Sequence, residues 1–202
     1  MADAGVFGYH GEIEEPGVAR EGAEHELLAR VARHDREALA LLYARFQRPL
    51  FRYLVHLLGQ REQAENVLQE VMLVVWQRAH TFRGASGAST WIFGIAHHQA
   101  FKALRAGGRV TLVELEAAPE LPDVRQDPEA DVLRRATADA ITHALTTLSP
   151  AHREVLELAF FHDFAGADIA AIVGVPIGTV KSRLSYARRA LRDALLSDGW
   201  EA

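Results

Sequence analysis

The stretch DIAAIVGVPIGTVKSRL, residues 168–184, restricts the fold more than any other part of the chain. Apolar residues at three- and four-residue spacings lead up to Gly174, a residue type that ends a helix in the left-handed conformation without steric cost. Pro176 follows, where a new helix is entered rather than an old one continued. Two helices therefore meet at a corner over Val175 and Pro176, the second beginning near Ile177 to Thr179. Ala170, four residues before the glycine, and Val180, six after it, have the small and aliphatic character that lets two such helices cross closely, as in a helix-turn-helix.

The second helix of the pair carries an anomaly of charge. Residues 178–195, GTVKSRLSYARRALRDAL, hold five basic residues and one acidic one, in a chain whose formal net charge is -5. At about 100° per residue, Val180, Leu184, Ala187, Leu191 and Leu195 share one face. Lys181, Ser182, Ser185, Arg188, Arg189 and Arg192 fill a contiguous arc beside it, with Thr179 near the helix start and Arg183 among the cations. Long cations and short hydroxyls on one stripe suit phosphates and base edges in a major groove, and Thr179 stands where backbone N–H groups can also meet phosphate. A basic run on its own is more often a solvated face; the preceding corner favours the nucleic-acid reading. The acidic balance of the whole chain argues against a free-standing, nonspecific binder of polyanions, because phosphate contacts supply most of that affinity.

The rest of the sequence implies an all-α protein of two small helical domains. Residues 1–24 lack apolar periodicity and read as an acidic flexible tail. Residues 25–105 have helical spacing throughout, with breaks at His34-Asp35, at Gly59-Gln60 and in RGASGAS, which suggests four helices; Pro49 falls inside the second and kinks or enters it. Residues 106–131 combine a glycine pair, three prolines and an excess of carboxylates, the composition of an extended linker. A second helical block follows over 132–198, broken at LSP, around HDFAG and at GVP. No repeat of fixed period and no strand alternation interrupts this pattern. There is no cysteine, which removes disulfides, thiolate metal sites and a cysteine nucleophile. The N-terminus lacks the basic start and apolar core of a signal peptide, and no run is long enough to span a bilayer, so a cytoplasmic protein without membrane insertion is expected.

Two further faces carry chemistry. In TWIFGIAHHQAFKALR, residues 90–105, Ile92, Phe93, Ala96, Ala100, Ala103 and Leu104 gather on one side, while Trp91, Ile95, His98, Lys102 and Arg105 lie opposite. An aromatic interleaved with cations is the composition of a surface that stacks on unpaired bases and neutralises their backbone. The preceding loop, with Arg83 and Ser86 among its glycines, allows close approach of backbone to a nucleotide but lacks the ending of a P-loop. The competing reading makes Trp91 a core aromatic. In REQAENVLQEVMLVVWQRAH, residues 61–80, Ala64, Val67, Leu68, Val71, Val74 and Val75 form the buried side, and the other side carries Glu62, Glu65, Asn66, Gln69 and Glu70 together with Leu73 and Trp76. Exposed apolar residues among carboxylates fit a protein-docking surface, unless the first helix covers them.

QAENVLQEVMLVVWQRAHTFRG, STWIFGIAHHQAFKALR and LSPAHREVLELAFFHDFAGADIAAIVGVPIGTVKSRLSYARRALRDAL together resemble the sigma-70 family of bacterial transcription initiation factors, specifically its small extracytoplasmic-function (ECF) group. The resemblance covers about 26–196 apart from the linker. It implies that 25–105 is sigma region 2, which grips the clamp helices of core RNA polymerase and opens the minus-ten element, and that 132–198 is region 4, which reads the minus-thirty-five element while docking on the polymerase flap. On that resemblance Glu62, Glu65, Asn66, Gln69 and Glu70, with Leu73, fall at the core-docking positions. Arg83, Ser86, Trp91, His98, Lys102 and Arg105 fall on or near the promoter-melting surface. The sequence departs from the family pattern at Asn66, where Asp is common, and at His97-His98, where Arg-Asn or a similar pair is common. The linker would thread polymerase channels otherwise filled by nucleic acid, its carboxylates imitating a phosphate backbone. An anti-sigma partner is a further expectation of the resemblance.

Two other classes compete. A stand-alone helix-turn-helix regulator explains 165–195 but leaves the face at 91–105 unused. An enzyme would need a site that the sequence does not offer: His97 and His98 are adjacent and point apart, His80, His143, His152 and His162 are dispersed, and neither a zinc-ligand spacing nor a Ser-His-Asp order or carboxylate pair stands out. No metal and no cofactor are expected.

Overall fold

The structure, a computed structural model, describes residues 16–106 and 148–197, with side chains from 21 to 106 and from 148 to 193. The expected linker, beyond Ala106, and the start of the second helical block lie outside the described residues, as does the side chain of Leu195. Among the described residues there is no strand.

The first helix, α1 (Pro16–Val31), begins earlier than the sequence suggests. Residues 16–24, assigned above to an acidic tail, are helical, and Glu24 is 2% exposed. The reason is polar rather than apolar. Arg45 meets one oxygen of Glu24 at 2.8 Å and the Ser89 hydroxyl donates to the other at 2.6 Å, so a carboxylate that periodicity counts as solvent-facing is buried and paired.

Asp35 then stops one helix and starts the next. Its carboxylate accepts from the backbone N–H of Glu37 at 2.9 Å and of Ala38 at 3.1 Å, the pattern of an N-cap, and Arg30 reaches back to it at 2.8 Å. Helix α2 (Arg36–Leu58) runs unbroken through Pro49, burying Leu42, Phe46, Leu50, Tyr53, Leu54 and Leu58. Gly59 closes it at φ 72, with its N–H donated to the Val55 carbonyl. Helix α3 (Arg61–Arg78) packs Ala64, Val67, Leu68, Val71, Met72 and Val75 inward; Met72 takes the buried place expected of Val74, which is only half-buried. A short 3-10 turn (Ala79–Thr81) leads to the glycine-bearing loop and to α4 (Ala88–Ala106).

Beyond the undescribed segment, Pro150 opens α5 (Pro150–Phe160) in its first turn, where the missing N–H costs nothing. Helices α6 (Gly166–Val173) and α7 (Ile177–Ser197) follow, joined as the sequence indicates: Gly174 adopts φ 67 and its N–H bonds the Ala170 carbonyl. Val180 is fully buried in this corner.

The two halves share one core. Val155, Leu158, Ile169, Ile172, Val173 and Val180 join the cluster built by α1 to α4, while Leu148, Leu156 and Ala187 form a smaller cluster with Leu184, Ala190 and Leu191. Helix α6 lies against α4, and edge-to-face aromatic contacts accompany that packing: the Phe164 ring is 5.0 Å from Phe93, which is 5.4 Å from Tyr53.

Candidate nucleic-acid interface

Helix α7 presents the cationic arc to solvent. Lys181, Ser182, Ser185, Arg188, Arg189 and Arg192 are exposed, against Val180 and Ala187 buried and Leu184 and Leu191 half-buried on the packing side. Lys181, Ser185, Arg188, Arg189 and Arg192 line one open groove with Leu184. The Arg188 guanidinium lies over the exposed Phe160 ring, 5.2 Å from its centroid. Arg183 and Thr179 are half-buried and stand apart from that groove. Arg183 instead faces His152, whose pKa is lowered by burial and by that neighbouring positive charge. The Ser182 hydroxyl donates to the Thr179 carbonyl at 2.9 Å, inside its own helix.

Helix α4 supplies the second surface. Ser86, Trp91, His98 and Lys102 line a single groove of about 610 Å³ with Arg78, Gln77 and Ile95. Arg83 and Arg105 are exposed but lie outside it. Trp91 combines both of its competing readings: it is half-buried, its ring 5.5 Å from Phe82, and it also lines the groove. One wall of that groove comes from α6, through Ala171 and Ile172.

Helix α3 exposes Glu62, Glu65, Asn66, Gln69 and Glu70, and Leu73 is 55% exposed among them. Trp76 departs from that group, half-buried with its ring 5.2 Å from His34. Glu65 pairs with Arg61 one turn earlier at 3.2 Å. Among the described residues, no helix is long and apolar enough to cross a membrane and no set of three or more His, Cys, Asp or Glu is placed to hold a metal ion.

Comparison with known proteins follows this division. Residues 42–110, covering most of α2 to α4, match Sigma-70 region 2, and residues 144–193, covering α5 to most of α7, match Sigma-70, region 4. The chain is 33% identical over 160 residues to the ECF RNA polymerase sigma factor RpoE of Cereibacter sphaeroides, spanning 78% of this chain and 86% of that protein. The chain belongs to the ECF sigma factors. It is also 34% identical over 152 residues to the ECF sigma factor SigL of Mycobacterium tuberculosis, spanning 75% of this chain and 85% of that one. The sigma factor RpoE of Bartonella quintana, solved in complex with the anti-sigma factor NepR, has a TM-score of 0.61 and 28% identity, over 81% of this chain and 96% of that one. Sigma factors are transcription initiation factors, so the arc on α7 and the groove on α4 belong to a protein of DNA-directed transcription.

This sigma factor also contains a polar cluster that sequence reasoning missed. Glu154 and Glu157 of α5, each 3% exposed, face the first half of the molecule. The Tyr53 hydroxyl donates to Glu154 Oε1 at 2.6 Å, and His97 Nδ1 meets the same oxygen at 2.6 Å. His56 Nδ1 meets Glu157 Oε2 at 2.5 Å, and His162 Nε2 stands 3.5 Å from Oε1. Burial works against the charge of Glu157, but His162 and His56 outweigh it and hold the carboxyl below its usual range. Burial, and then the charge of Glu154, push the Tyr53 hydroxyl well above the ordinary phenol value, so it stays a donor. Arg52 donates to the Phe161 carbonyl at 2.9 Å and the Thr90 hydroxyl to Asp168 at 3.0 Å, extending the polar contact to both sides. The available signal was the pair Glu154 and Glu157 on the same side of α5 as Val155 and Leu158, acidic residues on an otherwise apolar stripe.

Proposed function

We propose that this sigma factor directs core RNA polymerase to its promoters through two separated DNA contacts and one protein contact. The arc of Lys181, Ser185, Arg188, Arg189 and Arg192 reads the minus-thirty-five element, with Thr179, Ser182 and Arg183 supporting the helix start and its flank. The groove of Ser86, Trp91, His98 and Lys102, flanked by Arg83 and Arg105, receives unpaired bases of the minus-ten element by stacking and charge neutralisation. Glu62, Glu65, Asn66, Gln69, Glu70 and Leu73 dock on the clamp helices of the polymerase, and region 4 docks on the flap. Residues 25–105 and 132–198 are the two functional domains. The protein carries no catalytic chemistry of its own in this reading and works in the cytoplasm, where the promoters are.

The observation that carries this reading is the coexistence, on one chain, of a cationic groove on α7 and an aromatic-cationic groove on α4. A stand-alone regulator has use for the first alone. An anti-sigma partner is part of the proposal, because the RpoE protein of Bartonella quintana is solved with one and shares this fold. Run-off transcription with core polymerase over a promoter library tests the function directly, and a gel shift with and without core polymerase separates the alternatives. Transcripts that depend on this protein and start downstream of a common two-part sequence are expected. Tight, specific promoter binding by the free protein alone overturns the reading.

A further inference from the structure

Gly94 sits in the interior of α4, where glycine is, proline aside, the least favourable residue. The usual structural reasons for a glycine do not apply to it. Its backbone is helical, and the glycines at positive φ among the described residues are Gly59, Gly84 and Gly174. Helix α6 packs on α4, yet a Cβ placed on Gly94 meets nothing within 4 Å outside its own stretch of helix. No close approach of another element therefore excludes a side chain here.

What the glycine does is leave space in a groove. Gly94 lines the same cavity as Trp91, His98 and Lys102. Trp91 lies one turn before it and His98 one turn after, about 4.5 Å and about 6 Å along the axis at about 1.5 Å per residue. A helical side chain leans toward the turn that precedes it, so the volume that a side chain at 94 would occupy adjoins Trp91. The result is a notch floored by bare backbone, with an indole at one end, an imidazole at the other, and the cations Arg78 and Lys102 in the same groove. A flat, unsaturated ring fits such a notch edge-first, with an aromatic partner to stack on and cations to neutralise an attached phosphate. We propose that Gly94 is the seat of one unpaired base of the minus-ten element, which stacks on Trp91 with its edge against the backbone at 94. This rests on the reading of the α4 groove as the surface for unpaired bases, and it assigns one of those bases to one residue. Helix stability given up at Gly94 is thereby exchanged for room in the groove.

The test sets function against stability, because helix propensity and base binding make opposite demands at this position. Gly94→Ala is expected to raise Tm by roughly 1–4 °C, and Gly94→Leu to fold with unchanged helicity by circular dichroism. The probe is a promoter recovered by run-off transcription, prepared as a fork whose minus-ten strand is unpaired, beside a duplex that carries only the minus-thirty-five element. In complex with core polymerase, Gly94→Ala is expected to weaken fork binding by roughly threefold and Gly94→Leu by roughly tenfold or more, within what one stacked base contributes. Binding to the minus-thirty-five duplex is expected to stay as in wild type. An abasic site placed at each minus-ten position in turn is expected to find one at which the Gly94→Leu penalty disappears. A lower Tm for Gly94→Ala overturns the proposal, since packing would then require the glycine. So do fork binding like wild type by Gly94→Leu, an equal loss on both probes, and a penalty that survives every abasic substitution. A wild-type holoenzyme that binds the fork no more tightly than the same promoter fully paired overturns the reading of the groove itself, and the seat at Gly94 with it.

Discussion

Glu157 shows how a buried charge can stabilise this protein and also set its acid limit. The carboxyl is almost removed from water, yet it titrates below its ordinary value of 4.5 because His162 and His56 favour the charged form. A group depressed in the folded state contributes stability that is complete above its unfolded pKa and is lost as the pH falls through the lowered folded value. Thermal stability is therefore expected to fall on acidification below about 4.5, and Glu157→Gln is expected to flatten that acid limb. At neutral pH the variant leaves the histidines facing a neutral amide, at a cost of about 1–3 kcal/mol, which corresponds to about 2–4 °C in Tm for each kcal/mol in a chain of this size. Melting curves from pH 7 to pH 3 on both proteins measure this. Parallel pH profiles would remove Glu157 from the account of acid stability.

Helices α7 and α3 allow DNA binding and polymerase docking to be separated, because each presents its proposed functional residues on a face that the core does not use. Arg188 is exposed on α7 and its only described ring contact is with Phe160, so Arg188→Ala is expected to leave the fold intact. It is expected to weaken holoenzyme binding to minus-thirty-five DNA by roughly tenfold, the size of one good contact to a base or phosphate. Fluorescence anisotropy on labelled promoter measures the loss, and co-purification with core polymerase should be unchanged. Loss of co-purification instead would contradict the assignment of α7. On α3, Glu65→Lys reverses a charge that is exposed and paired only with Arg61 among the described contacts. The new repulsion costs a few tenths of a kcal/mol, about 0.2–0.5, so reduced co-purification with core polymerase would report docking rather than unfolding. Undiminished co-purification would remove α3 from the docking surface.

These elements were legible in the sequence because their signals are local. The Gly174 corner is contained in residues 170–180, and the two-sided character of α7 follows from a period of about 3.6. The start of α1 and the buried pairing of the α5 carboxylates were not legible for the opposite reason. Glu24 reads as a solvent marker in any window of sequence, and Glu154 and Glu157 interrupt an apolar stripe without showing what pairs with them; their partners are Arg45 and Ser89 in one case, and Tyr53, His56 and His97 in the other. The exposure of Leu73 beside the half-buried Trp76 was undecidable for a related reason, since His34, from the turn after α1, covers only the tryptophan.

At the scale of the whole molecule, the shared core determines how the free protein unfolds. A chain of two independent helical domains on a tether would melt in two steps, each at its own temperature. Here Val155, Leu158, Ile169 and Ile172 belong to the same cluster as Leu50, Tyr53, Ile92 and Phe93, so losing either half exposes apolar surface on the other. A single calorimetric transition is expected for the free wild-type protein. Phe164 is the test of that coupling, because its ring packs on Phe93 across the contact, 5.0 Å between centroids, and lies outside the helices that each half needs for its own packing. Phe164→Ala removes an aromatic pair, about 0.5–1.5 kcal/mol beyond the area it buries, from the interdomain contact. The variant is expected to resolve the single endotherm into two, with the lower-melting step carrying the smaller enthalpy of α5 to α7. A wild-type protein that already melts in two well-separated steps would show that the common core is too weak to couple the halves, and α5 and α6 would then act as a detachable cover on α4 rather than as part of one cooperative fold.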